Sequence, residues 1–108
     1  MLRQGDVLIV PVAEIPQGLT LEDRDDQGRV VLMHGEVTGH AHAIHERGAR
    51  MFRASDDLGL ARPRYLDVSG APAVLRHEEH SHLTLPIGKY RVTRQKEYAP
   101  EAIRNVAD

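Results

Sequence analysis

The sequence predicts an all-β fold, a small antiparallel barrel or sandwich with a short C-terminal helix. Three observations carry this expectation. Short runs rich in Val, Leu and Ile recur roughly every ten residues along the 108-residue chain, separated by Gly, Pro, Asp and Ser. Where polar residues enter these runs they alternate with apolar ones, the period of two that a strand imposes. Only residues 100–107 suit a helix, with Pro100 at its first position and Glu101 beside it, both favoured there.

The elements follow in order. Residues 6–12 (DVLIVPV) form a buried β-branched run with Pro11 at an edge or end. Pro16, Gln17 and Gly18 mark a turn, and the charged stretch 22–28 (EDRDDQG) closes on a glycine, as a hairpin loop does. Residues 29–34 (RVVLMH) are a second strand. After Gly39 the alternation is strict: His40, His42 and Ile44 share one face, and Ala41, Ala43 and His45 the other. Residues 51–53 read as strand, 54–63 (ASDDLGLARP) as loop, and 64–68 (RYLDV) as strand, stopped by 69–72 (SGAP). Residues 73–75 restart extended structure, which runs into 77–82 (HEEHSH). Residues 83–85 are strand, Pro86, Ile87 and Gly88 a tight turn, and 89–95 the last strand, with Tyr90 and Val92 facing inward. No repeat, low-complexity tract or linker interrupts this order, so residues 1–108 are expected to form a single domain.

Composition narrows the function classes. Hydrophobic residues at 41% and charged residues at 28% give a globular balance that excludes disorder. The absence of cysteine excludes disulfide scaffolds, thiolate zinc sites, iron–sulfur clusters and cysteine nucleophiles. No apolar run approaches the roughly 20 residues of a membrane-spanning helix. Residues 1–6 (MLRQGD) lack the basic-then-apolar build of a signal peptide, so a cytoplasmic protein without membrane partners is expected. A net charge of −2 is far from the basicity of a dedicated nucleic-acid binder. There is no P-loop, dinucleotide fingerprint or nucleophile elbow, and His77 and His80 have the wrong spacing for a zinc-protease helix.

Histidine is the unusual feature. With one Phe, three Tyr and no Trp the core must be aliphatic, yet the chain holds seven histidines, in two clusters: His34, His40, His42 and His45, then His77, His80 and His82. On a strand, His40 and His42 share a face roughly 6.5–7 Å apart, a spacing that two ligands of one metal can use. Glu46 continues their parity and could add an oxygen. A further imidazole would come from the second cluster, where His77 is in phase with the inward-facing Leu75. Leu83 and Leu85 throw His82 to the opposite face unless the chain changes phase at Glu78 and Glu79. The expected order for the extra ligand is therefore His77, then His82, then His80. Two or three imidazoles with one carboxylate suit Zn, Fe(II), Mn or Ni, with positions left for water or substrate.

The stretch from Gly35 to Glu46, glycine followed by His40-x-His42 and then Glu46, resembles the first motif of the cupin superfamily. Pro86-Ile87-Gly88 resembles the proline-x-glycine turn of its second motif. The resemblance implies a small β-barrel holding a divalent metal through His40, His42, Glu46 and one more histidine. The family's last histidine would fall at Arg91, so here the fourth ligand must come from His77, His80 or His82. The phrase GEVTGHAH (35–42) also resembles one found in small bacterial and phage proteins.

The expected function is thus a metal-binding β-barrel protein, with metal-assisted chemistry on a small molecule if it is an enzyme. A second class is a single-stranded nucleic-acid-binding or RNA-cleaving module. There the histidines would act as acid and base, Arg91, Arg94 and Lys96 would hold phosphate, and Tyr98 would stack on bases. A third is a non-catalytic assembly subunit, a homo-oligomer paired through its edge strands.

Overall fold

In the computed structural model, which describes residues 1–35, 37–57 and 62–95, ten strands pair into two antiparallel sheets. They are β1 (Leu2–Gln4), β2 (Val7–Val12), β3 (Thr20–Leu21), β4 (Val30–His34), β5 (Ala41–Ile44), β6 (Ala49–Arg53), β7 (Arg64–Val68), β8 (Ala73–Arg76), β9 (Leu83–Leu85) and β10 (Gly88–Arg94). One sheet runs β1-β2-β10-β7-β6-β3 and the other β4-β5-β8-β9. The sheets stay separate and each keeps its edges. The architecture is an open sandwich-like pair, and the closed barrel is not formed. The helix expected at 100–107 lies outside the described residues. Among the described residues no helix is long and apolar enough to cross a membrane.

Alternation builds the core. Val7 and Ile9 on β2, Leu66 and Val68 on β7, and Tyr90 and Val92 on β10 point inward from the larger sheet. Val30, Ile44, Ala73, Leu75 and Leu85 meet them from the smaller one. Each fully buried aliphatic side chain contributes roughly 1.5–3 kcal/mol, so the ten large ones among the described residues replace the missing large aromatics. The Tyr90 hydroxyl, carried into this layer, donates to the Pro86 carbonyl at 2.5 Å.

Two local features aim the site. Gly5 and Asp6 form a two-residue turn between β1 and β2, with Gly5 at φ +57°, a conformation that glycine adopts without the Cβ penalty. On β4 the register against β5 shifts between Val31 and Met33, leaving Leu32 as an extra residue in a bulge. Arg64 crosses from the larger sheet to donate to the freed carbonyl of Leu32 and to that of Val31. Its other donors grip both oxygens of Glu22 at 2.7 Å.

Candidate metal centre

Four imidazoles converge where the two sheets open at one end. His40 immediately precedes β5, and its backbone closes the loop from β4: Gly35 N–H donates to its carbonyl at 2.8 Å, and its own N–H to Val37 at 3.0 Å. His42 lies on β5 and is 4% exposed. His77 follows β8 with the inward parity of Leu75. The chain then folds back, because the Glu79 N–H donates to Nδ1 of His77 at 3.0 Å. This reversal brings His80 against the other rings. Ring centroids stand 4.2 Å apart for His42 and His77, 4.7 Å for His77 and His80, 5.7 Å for His42 and His80, and 5.6 Å for His40 and His77.

Two sets of ligand atoms result. One nitrogen from each of His42, His77 and His80 lies within 4.8 Å of the others, and His40, His77 and Glu78 form a second such set. The rings line a cavity of about 230 Å³ together with Asp6, Glu79 and Arg94. Two glycines form its close walls. A Cβ on Gly5 would come within 2.8 Å of His80 Nε2 and 3.1 Å of His42 Cε1; one on Gly35 would come within 3.2 Å of His77 Nε2.

Gln4 decides how His42 presents itself. Its buried amide nitrogen donates to the carbonyls of Leu75 and Ser81, both at 2.9 Å, so its oxygen is the atom that faces His42 Nδ1 at 2.8 Å. Nδ1 must then carry the proton, and Nε2 keeps its lone pair. Such an outer partner fixes the tautomer and the plane of a metal-ligating imidazole. His77 is the opposite case. Its Nδ1 accepts from Glu79, so in the neutral ring Nε2 carries the proton, and coordination through Nε2 requires the proton to move and the Glu79 contact to open. Nδ1 of His40 is buried and lacks a hydrogen-bond partner, although Glu79 Oε2 stands 3.2 Å away out of hydrogen-bond alignment.

The electrostatics favour the neutral form of His42 and His77. Burial, then the neighbouring His77 and His80, lower the His42 pKa from the ordinary 6.5 to about 4. Burial, then His80, lowers that of His77. Glu78 is held ionised by the Ala41 N–H, which it accepts at 3.0 Å. At neutral pH the pocket therefore offers imidazole lone pairs beside carboxylates, a donor set suited to a cation.

Of the residues expected from the sequence, the structure brings His40, His42 and His77 together. Glu46 lies past the end of β5, where its carboxylate accepts the Val74 N–H at 3.1 Å, and it joins neither ligand set among the described residues. His82 is exposed and lines a neighbouring hollow with Arg29, His45 and Arg76, which shares His77 with the pocket, and it joins neither ligand set among the described residues. His80, ranked last, occupies the place given to it. Gln4 and Gly5 carried a sequence signal, a Gly-Asp dipeptide between two short runs, which reads as a hairpin turn. Arg91 and Arg94, both exposed, do not form one strip: Arg91 lies on the outer face, whereas Arg94 at the end of β10 opposes the buried Val7 and so leaves the sheet on the inner face. Lys96 and Tyr98 lie outside the described residues.

A family model described as "Domain of unknown function (DUF8820)" matches residues 3–95. No curated protein and no solved structure gives a match. The matching family is not a cupin family, and the expected cupin membership is overturned. The physical reason is local: the shared motif is short, its glutamate is spent on a backbone N–H, and the strands form two open sheets.

Proposed function

We propose, for a chain that belongs to the DUF8820 family of domains of unknown function, that the histidine pocket binds one divalent transition-metal or zinc ion. The observation that carries this reading is the triad His42, His77 and His80, with three nitrogens within 4.8 Å of one another. Packing imidazoles this closely in a half-buried pocket lowers the proton affinity of His42 and His77, which favours the neutral rings that a cation needs as ligands. An all-imidazole set suits Zn, Ni, Co, Cu or Fe(II) and is a poor match for Mg or Ca, which prefer oxygen. Three protein ligands leave at least one position open, as in catalytic rather than structural sites. An ion held there would act as a Lewis acid or activate a bound water toward a small molecule.

The acid–base reading in RNA cleavage has less support. An imidazole with a pKa of about 4 is a weak base at neutral pH, and Arg91 and Arg94 face opposite sides of their sheet.

Equilibrium dialysis of tag-free protein against Mg, Ca, Mn, Fe(II), Co, Ni, Cu and Zn tests the proposal. One ion per chain is expected from the nitrogen-seeking metals and none from Mg or Ca. Absence of any bound ion, or equal binding of Ca, overturns it.

A further inference from the structure

Arg94 stands at the junction of two cavities. The histidine pocket of about 230 Å³ adjoins a cleft of about 660 Å³ between the sheets, and Arg94, Met33 and His34 line both. The β10 register fixes where Arg94 points. It opposes Val7, a core residue, and directly opposed residues share a face. The guanidinium therefore leaves the sheet on the inner side, where the apolar core gives way to the pocket.

The other arginines of the cleft are already engaged. Arg64 is held by Glu22 at 2.7 Å and Arg62 by Asp56 at 2.5 Å. Among the described residues, the Arg94 side chain has no hydrogen bond or ion pair. A planar five-donor fork left unengaged beside a proposed metal site matches a planar oxyanion. Charge selects the kind of oxyanion. Asp6 and Glu79 line the pocket with Arg94. With the ionised Glu78 of the second ligand set included, a divalent ion and Arg94 only balance these carboxylates, so a monoanion meets less repulsion than a phosphate dianion. Beyond Arg94 the cleft has a mixed lining, in which Val31, Met33 and Val92 offer apolar surface for the rest of a small organic molecule and Glu22, Asp23 and Asp25 stand at its acidic side.

We propose that the pocket takes a small organic carboxylate, its carboxylate spanning the metal and Arg94 and its apolar body lying along the cleft. This rests on the metal reading above.

The test uses cobalt-loaded protein, whose visible absorption reports the ligands of the ion. Acetate, butyrate, hexanoate and inorganic phosphate are titrated into wild type, Arg94→Gln and Arg91→Gln. The carboxylates are expected to shift the spectrum, with affinity rising up to about fourfold per added methylene that the cleft buries. Arg94→Gln should bind cobalt normally and carboxylate at least tenfold more weakly, while Arg91→Gln, altered on the outer face, should match wild type. If cobalt binds but carboxylates leave the spectrum unchanged, or bind Arg94→Gln as well as wild type, the carboxylate proposal fails and the metal reading stands. Phosphate binding more tightly than the carboxylates also overturns it. Failure of cobalt to bind removes the metal reading and this proposal with it.

Discussion

Gln4 and His42, from different sheets, are joined by a 2.8 Å hydrogen bond in which Nδ1 donates to Oε1. Gln4 cannot turn its amide over, because its nitrogen already serves two carbonyls. The bond thus holds both the ring plane and the proton of His42 and ties β1 to β5, while the Gln4 nitrogen ties β1 to β8 and to the segment before β9. Gln4→Leu should lower metal affinity by about 10- to 100-fold, the usual cost of losing such a partner. It should also destabilise the fold by about 1–3 kcal/mol, since the buried Leu75 carbonyl and the part-buried Ser81 carbonyl lose their donor. Isothermal titration and urea denaturation read the two effects separately; unchanged metal affinity would show that the His42 tautomer needs no support.

Gly5 separates backbone strain from pocket space. Gly5→Ala places a methyl against His80 and His42 at a φ of +57°, whereas Gly18→Ala, at φ +84°, meets nothing within 4 Å. Both should cost about 1 kcal/mol of stability from the left-handed backbone. Only Gly5→Ala should weaken metal binding, by about tenfold or more. Equal metal affinities in the two variants would mean that Gly5 serves the turn alone.

Acid should weaken the metal-free fold through His42. Its folded pKa is about 4 against an ordinary 6.5, so between these values the unfolded chain holds a proton that the folded chain refuses. The stability tied to neutral His42 is complete above pH 6.5 and drains as the pH falls to about 4, by at most about 3 kcal/mol and by less where solvent screens the ring. His77 acts in the same direction. Urea midpoints of apo protein across this range should fall with acid, and the fall should be smaller in His42→Gln. An identical slope in both proteins would remove His42 as its source.

Arg64 is the second tie between the sheets, and it is a structural one. Arg64→Met strands the Glu22 carboxylate and the bulge carbonyls of β4, which should cost about 3–5 kcal/mol. The double variant Arg64→Met with Glu22→Leu should recover part of that loss, because no unpaired charge remains. Denaturation of the two variants checks this; a single variant as stable as wild type would contradict it.

Strands long enough to show a period were legible in the sequence. Val7–Val12 declares itself as a β-branched run, Arg64–Val68 as a short run stopped by turn residues, and Gly88–Arg94 through Tyr90 and Val92 alternating with polar residues; the burial of all three alternates. Leu2–Gln4 and Thr20–Leu21 span three and two residues, too few for a period, and are held by their partners β2 and β6. His40, His42 and His77 were legible because parity carries them inward. His80 was not, because a backbone-to-imidazole bond from Glu79 reverses the chain, and parity does not survive a reversal. Glu46 stands apart from the rings for the converse reason: the strand stops at Ile44, so parity does not carry beyond it.

The choice between His80 and His82 tests the metal site most directly. Tag-free wild type, His80→Ala, His82→Ala and Glu46→Gln are loaded with zinc, desalted and analysed for bound ion per chain. One ion is expected in wild type, His82→Ala and Glu46→Gln, with His80→Ala losing most of its zinc. Zinc retained by His80→Ala and lost from His82→Ala, or the same content in all four proteins, would contradict a site built on His42, His77 and His80.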